Sequence, residues 1–330
     1  MKKEKLTSNK QPKGKLSVLT TVLSVVAGLS VVALLAFILV TGSRTDPSYF
    51  TIEDGVLTAY EGDDRVVTIP DGVVVIGDRA FMGHEEMEKV VMPQTLTTLR
   101  NGAFYGCSSL ETIKFSRALN FIGDAAFGEC DALTSFEVPA SVQFIHAETF
   151  YGTYNLTELT VEEGNTEYVS RDGVLYSADG KVLVSYPAGR TETSFTVPAG
   201  VETIAAGAFT MNQTLRTVDL SGVLEVGEGA FRGCTALTDV TFSEGLVKIY
   251  DDAFYECTAL TAVTLPASLQ ELCRSAFGYC TALTEAHLPA ELMGIYEGAF
   301  DGSEALTIYA PAGAPAEAFA EAYDIPFIAE

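Results

Sequence analysis

The sequence predicts a solenoid of stacked coils, made mostly of short β-strands and tight turns, preceded by one N-terminal transmembrane helix. Three observations carry that expectation. A phenylalanine recurs as Phe81, Phe104, Phe127, Phe150, Phe209, Phe231, Phe254, Phe277 and Phe300, with successive gaps of 23, 23, 23, 59, 22, 23, 23 and 23 residues. The residue before it is Ala in every copy but one, where Thr149 stands. Finally, residues 16–40 contain no charged side chain at all. A fixed period of this size marks an array of supersecondary units, none of which can bury its own apolar face alone.

The first 15 residues form a basic tail with six lysines against the single acid Glu4. The 25 uncharged residues that follow suffice for a spanning helix, which needs about 20. Lysines ahead of such a segment keep the tail cytoplasmic and place everything from about Arg44 onward outside the cell. A cleaved signal, leaving a secreted protein, is the alternative. Against it, the apolar stretch exceeds the usual signal-peptide core of about 7–15 residues, and no Ala-x-Ala site follows it. Residues 41–49 read as a linker.

Residues 50–70, opened by Asp54-Gly55-Val56-Leu57 and ending at Pro70, read as a β-hairpin cap, and residues 71–161 as a first block of four repeats. Stacked on their Phe, the copies share an aliphatic residue five positions upstream (Ile76, Leu99, Ile122, Ile145, Ile204, Val226, Ile249, Leu272, Ile295). Six positions downstream they share Leu, or Met87 in the first copy. An alternating run such as Leu260-Thr-Ala-Val263-Thr-Leu265-Pro266 follows, and alternation of that kind marks a half-buried strand. The Pro that closes several copies cannot extend the ladder. Each copy is therefore expected to hold one strand, a turn and a tight Ala-Phe segment.

The long gap is explained by residues 162–197, where Asp172-Gly173-Val174-Leu175 repeats the motif at residues 54–57. There Val174–Ser177 and Lys181–Val184 flank Ala178-Asp179-Gly180, a strong hairpin signal. Residues 198–310 form a second block of five repeats. Residues 311–330 read as a C-terminal cap with a short helix opening at Pro315, a residue suited to the first helical position.

These residues resemble the bacterial leucine-rich repeats of the BspA-like type, whose unit runs Leu-x-x-Ile-x-Ile-Pro, then Ile-Gly-x-x-Ala-Phe-x-x-Cys. The likeness spans about residues 50–310. It implies a right-handed leucine-rich-repeat solenoid displayed on the outside of a bacterial cell, in proteins described as adhesins or binders of host or neighbour surfaces. It implies no ligand and no fixed functional positions.

Charge excludes one class of partner. Residues 45–330 hold 13 basic and 43 acidic side chains, a net −30, which repels nucleic-acid phosphates. No Asp-x-Asp-x-Asp-Gly loop is present, and no metal or cofactor is expected. Five of six cysteines (Cys107, Cys130, Cys234, Cys257, Cys280) fall three residues after the Phe. Free thiols filling a crowded turn are the expectation, with disulfides between neighbouring coils the geometric alternative. The three histidines, His84, His146 and His287, sit in different coils, and no nucleophile or phosphate-loop motif accompanies them, so no enzyme is expected.

Binding must then use what the ladders leave outside. The residues flanking each strand's central apolar position face outward. The candidate ligand face is Lys89, Thr112, Lys114, Glu137, Glu158, Thr217, Asp219, Asp239, Thr241, Thr264, Glu285 and His287, basic early and mostly acidic later. A secondary candidate is the tyrosine set beside the turns, Tyr105, Tyr151, Tyr255 and Tyr279, since exposed aromatics commonly anchor interfaces. The expected function is adhesion, or recognition of an extracellular protein or glycan, by a single-pass membrane protein. The alternative is an assembly module docking to envelope proteins of the same cell.

Overall fold

A computed structural model describes residues 45–330 except residue 147. The described chain is a parallel β-solenoid in which each coil contributes two strands, not the single strand expected. Besides the three-residue strands such as Thr112–Lys114, two-residue strands recur at the aliphatic position upstream of the Phe, as in Thr98–Leu99 and Phe121–Ile122. Their inner residues, Ile76, Leu99, Ile122 and Ile145, fall in one register. Two residues are too short to show alternation, so the sequence presents them only as isolated aliphatics.

These short strands make the longest sheets. One six-stranded sheet runs from Phe50–Glu53 to Phe144–Ile145, and an eight-stranded sheet runs from Tyr168–Arg171 to Gly294–Ile295. The three- and four-residue strands form four smaller sheets.

Both Asp-Gly motifs turn hairpins. Glu53 pairs with Val56 and Arg171 with Val174, leaving two-residue loops in which Asp54, Gly55, Asp172 and Gly173 all take positive φ, the conformation a type I′ turn needs. Val182–Ser185 then pairs antiparallel with Val174–Ser177 on one side and parallel with Thr203–Ile204 on the other. The insertion thus seeds the second stack directly. At the far end, helix Pro315–Ala322 buries Ala316 and Ala320 against the last coil, and Phe327–Ala329 adds a final parallel strand. That arrangement covers the apolar edge a solenoid otherwise leaves open.

The core is a column of stacked rings. Neighbouring Phe centroids lie 4.9 Å apart for Phe81 and Phe104, 4.6 Å for Phe209 and Phe231, and 4.9 Å for Phe231 and Phe254, with nearly parallel planes. Tyr60 and Tyr186 begin the two columns, 5.2 Å from Phe81 and 4.9 Å from Phe209. Each follows a strand leucine by three residues, as Leu57-x-x-Tyr60 and Leu183-x-x-Tyr186.

In seven of the nine copies the residue three after the Phe closes the coil by bonding to the ring residue's carbonyl in the coil before, whereas Asn212 and Ser303 donate to the Ala188 and Cys280 carbonyls. Cys107, Cys130, Cys234, Cys257 and Cys280 donate through Sγ to Phe81, Phe104, Phe209, Phe231 and Phe254. Thr153 does the same to Phe127 and His84 Nε2 to Tyr60. All six cysteines are free and buried. The segment expected to cross a membrane, residues 16–40, lies outside the described residues. Among those described, no helix is long and apolar enough to span one.

Candidate functional site: the outward rows and the junction between blocks

Along the three-residue strands, the central side chain points into the core and its neighbours point out, as Asp239, Val240 and Thr241 illustrate with exposed, half-buried and exposed positions. Most candidate face residues are exposed, whereas Lys89, Asp219 and His287 are half-buried. Cross-strand pairing sets Lys89 beside Thr112, Glu137 beside Thr160, Thr217 beside Asp239, Asp219 beside Thr241, and Thr264 beside His287.

The structure does not join these rows into one sheet. Lys89, Thr112 and Lys114 share one sheet; Glu137 and Glu158 share a second. Thr217, Asp219, Asp239 and Thr241 occupy a third, while Thr264, Glu285 and His287 occupy a fourth. The insertion separates the first two from the last two. Two members already have work within the fold. Asp219 accepts from the Ser221 amide and hydroxyl, and His287 stacks on Tyr309 at 4.7 Å while its Nδ1 meets the Glu330 carboxylate at 3.0 Å.

The tyrosines divide similarly. Tyr105 and Tyr255 lie flat over the next coil's glycines, where a Cβ on Gly128 or Gly278 would come within 2.8 and 3.0 Å of the ring. The Tyr105 hydroxyl donates to Glu129 at 2.5 Å, and the Arg232 guanidinium sits 5.4 Å over the Tyr255 ring. Burial and the Glu129 carboxylate push the Tyr105 phenol up to about 12. Tyr151 is half-buried, while Tyr279 is half exposed, 5.3 Å from Tyr255. Tyr279 also covers a glycine of the next coil, Gly302, yet it is the most exposed of the four.

A second feature lies where the two blocks meet, and the sequence reading did not single it out. The buried core splits into two clusters there, and a cleft of about 530 Å³ opens, lined by Phe144 and Ile145 from the first block, Val184 from the insertion, and Ala205 and Gly229 from the second block. Asp124, His146, Glu148, Glu228 and Arg232 supply its polar groups. His146 Nδ1 approaches Asp124 at 3.2 Å, and Arg232 is engaged by the Asp252 carboxylate. Burial raises the Glu148 carboxyl above the usual carboxylate range; Arg232 opposes that shift, while Asp124 and Glu228 add to it. Among the described residues, no group of three or more His, Cys, Asp or Glu is placed to hold a metal ion.

Paired parallel ladders, a stacked ring column and capped ends define this chain as a repeat protein of the β-solenoid class. The chain belongs to the BspA type leucine rich repeat family, whose model matches residues 63–172 and 189–312 in six copies. Among solved structures it is similar to a leucine-rich repeat protein from Eubacterium ventriosum at 26% identity, covering 78% of this chain and 80% of that one, with a TM-score of 0.62. The fold is also shared with the pneumococcal vaccine antigen PcpA, at 20% identity over 81% of this chain and 79% of that one, TM-score 0.60. A leucine rich cell surface protein from Faecalibacterium prausnitzii is similar at 24% identity over 84% and 97%, TM-score 0.54. No curated protein matches the chain.

Proposed function

We propose that this protein is a bacterial surface recognition protein, held to the membrane by residues 16–40, that binds an extracellular protein or glycan through the outward rows of its three-residue strands. It acts by binding and catalyses no reaction. One observation carries the reading: strand after strand spends its inward side chain on the core and presents exposed polar neighbours in register with the next coil, as Thr217 with Asp239 does. Periodic rows of that kind suit a partner met over a long surface, which is how solenoids generally bind. The cell-surface description of the Faecalibacterium relative supports the location.

The test is capture by the immobilised protein from two sources, host extracellular matrix and envelope extract of the producing cell. Selective retention of a matrix protein or glycan, lost on Glu285→Lys or Thr241→Glu, supports recognition. Retention of an envelope protein alone makes the chain an assembly module.

A further inference from the structure

The coil that closes the first block carries an acid where its neighbours across the junction carry glycine. Two residues before the ring Phe, the backbone takes positive φ in all nine copies. Non-glycine residues accept it at Arg79, Ala125, Glu148, Asp252 and Ser275. Glycine is therefore not demanded there by conformation alone. At Gly207 it is demanded by space, whereas at Gly229 a Cβ would make only ordinary contact. A Cβ on Gly207 would stand 2.7 Å from Glu148 Cγ, and one on Gly229 would stand 3.5 Å from Glu148 Oε1. Gly207, with Gly229 in ordinary contact at the carboxylate end, forms a floor across which the Glu148 side chain reaches from the first block over the second.

The carboxylate so placed has no hydrogen bond or ion pair among the described residues, and burial destabilises its charged form. The positive groups nearby are already engaged: Arg232 by Asp252 and the Tyr255 ring, His146 by Asp124. Glu228, exposed beside Gly229, adds a further negative charge to the rim. The wall is apolar. Phe144 is 46% exposed, with one ring face backed by Phe121 at 5.3 Å and 11° between planes. Phe144–Ile145 is also the last strand of its sheet, so no further strand covers that edge.

We infer that the cleft receives a lysine or arginine side chain from an extended segment of a partner protein, its cationic head between Glu148 and Glu228 and its aliphatic stem along Phe144. An acceptor left unpaired in a half-buried site gains most from an incoming charged donor, and a cation against an exposed aromatic face adds to that attraction. Long basic side chains bury their stems while keeping the charge at a polar tip, which matches an apolar wall with an acidic floor. The cleft is separate from the strand rows, so the two surfaces stand or fall independently.

The experiment titrates the full chain against a fluorescein-labelled, end-capped Ala-Lys-Ala-Lys-Ala peptide, followed by anisotropy at low salt, with the glutamate counterpart as control. Wild type is expected to bind the lysine peptide alone. Glu148→Gln should weaken binding by about tenfold and Phe144→Ala by severalfold, the range over which truncated charge pairs lower affinity. Glu321→Gln, which removes one equal charge from the exposed face of the C-terminal helix, should leave it within about twofold, because a distant surface charge is screened. Glu228→Gln provides a second cleft variant at an exposed position if Glu148→Gln fails to fold. The inference is overturned if wild type does not bind the peptide. Unchanged affinity in the folded cleft variants, or an equal loss in Glu321→Gln, would overturn it too, the latter because the general negative field would then be the attractant.

Discussion

The Cys257 thiol lies 3.2 Å from the Phe231 carbonyl and donates to it, so the residue that closes one coil is bonded to the ring residue of the coil before. The same bond recurs wherever the position is Cys, and His84 or Thr153 replaces it with another donor. The requirement at this position is a small or flat donor, not sulfur. The thiols are held protonated by burial, which pushes Cys107, Cys234 and Cys280 up to about 12. Alkylation at pH 8 should therefore proceed only on unfolding for the five ladder cysteines, because the thiolate is the nucleophile. Cys273, off the ladder and the least deeply buried, is also raised by burial, but Lys248 opposes that shift and it should react first. Mass spectrometry of the trapped protein checks both, and a Cys257–Cys280 disulfide would contradict them.

The same thiols set an alkaline limit. Their folded pKa is raised, so the folded state retains protons that the unfolded chain releases near 9. Stability is intact below pH 9 and falls as pH rises from there toward 12. Each such thiol contributes a slope of about 1.4 kcal/mol per pH unit across that window. Denaturant midpoints measured between pH 7 and 10.5 should show the fall, and Cys257→Ser should shallow it.

Core and face should separate in stability. Phe254 is fully buried between Phe231 and Phe277, and Phe254→Ala should cost about 3–5 kcal/mol. Thr241→Glu, exposed at a strand flank, should change stability by less than about 0.5 kcal/mol. Urea unfolding compares them directly.

The glycine floor has its own signature. Gly200 has positive φ but open space around its Cβ position, so Gly200→Ala meets only backbone strain, about 1–2 kcal/mol. Gly207→Ala meets that strain and Glu148 as well. It should lower the melting temperature further, and Glu148→Ala should restore part of the difference but not all, since the Glu148 backbone nitrogen stays 3.0 Å from the new methyl.

The ring ladder was legible because a 23-residue period repeats Phe, its aliphatic partner and its Leu in one frame. Thr98–Leu99 and its counterparts were not, since a two-residue strand has no alternation to read. Nor was the division of the outward rows into four sheets, because register breaks leave residue types unchanged. Tyr60 and Tyr186 had a signal, the shared Leu-x-x-Tyr, which lies outside the Ala-Phe frame. The Glu148 cleft had none. Its parts, Asp124, Glu148 and Gly229, come from coils that the insertion separates in sequence, and only stacking brings them together.

The most direct measurement of recognition by the strand rows is the affinity of the captured partner for a panel of row substitutions, Lys114→Glu, Glu137→Lys, Thr241→Glu and Glu285→Lys, each confirmed to melt near wild type. The account predicts that several of these weaken binding about tenfold or more while Tyr255→Ala and Tyr151→Ala leave it within about twofold, the pattern of a few dominant contacts among neutral neighbours. Full affinity across the row panel, together with loss on the tyrosine variants, would place the contact on the turns and contradict it.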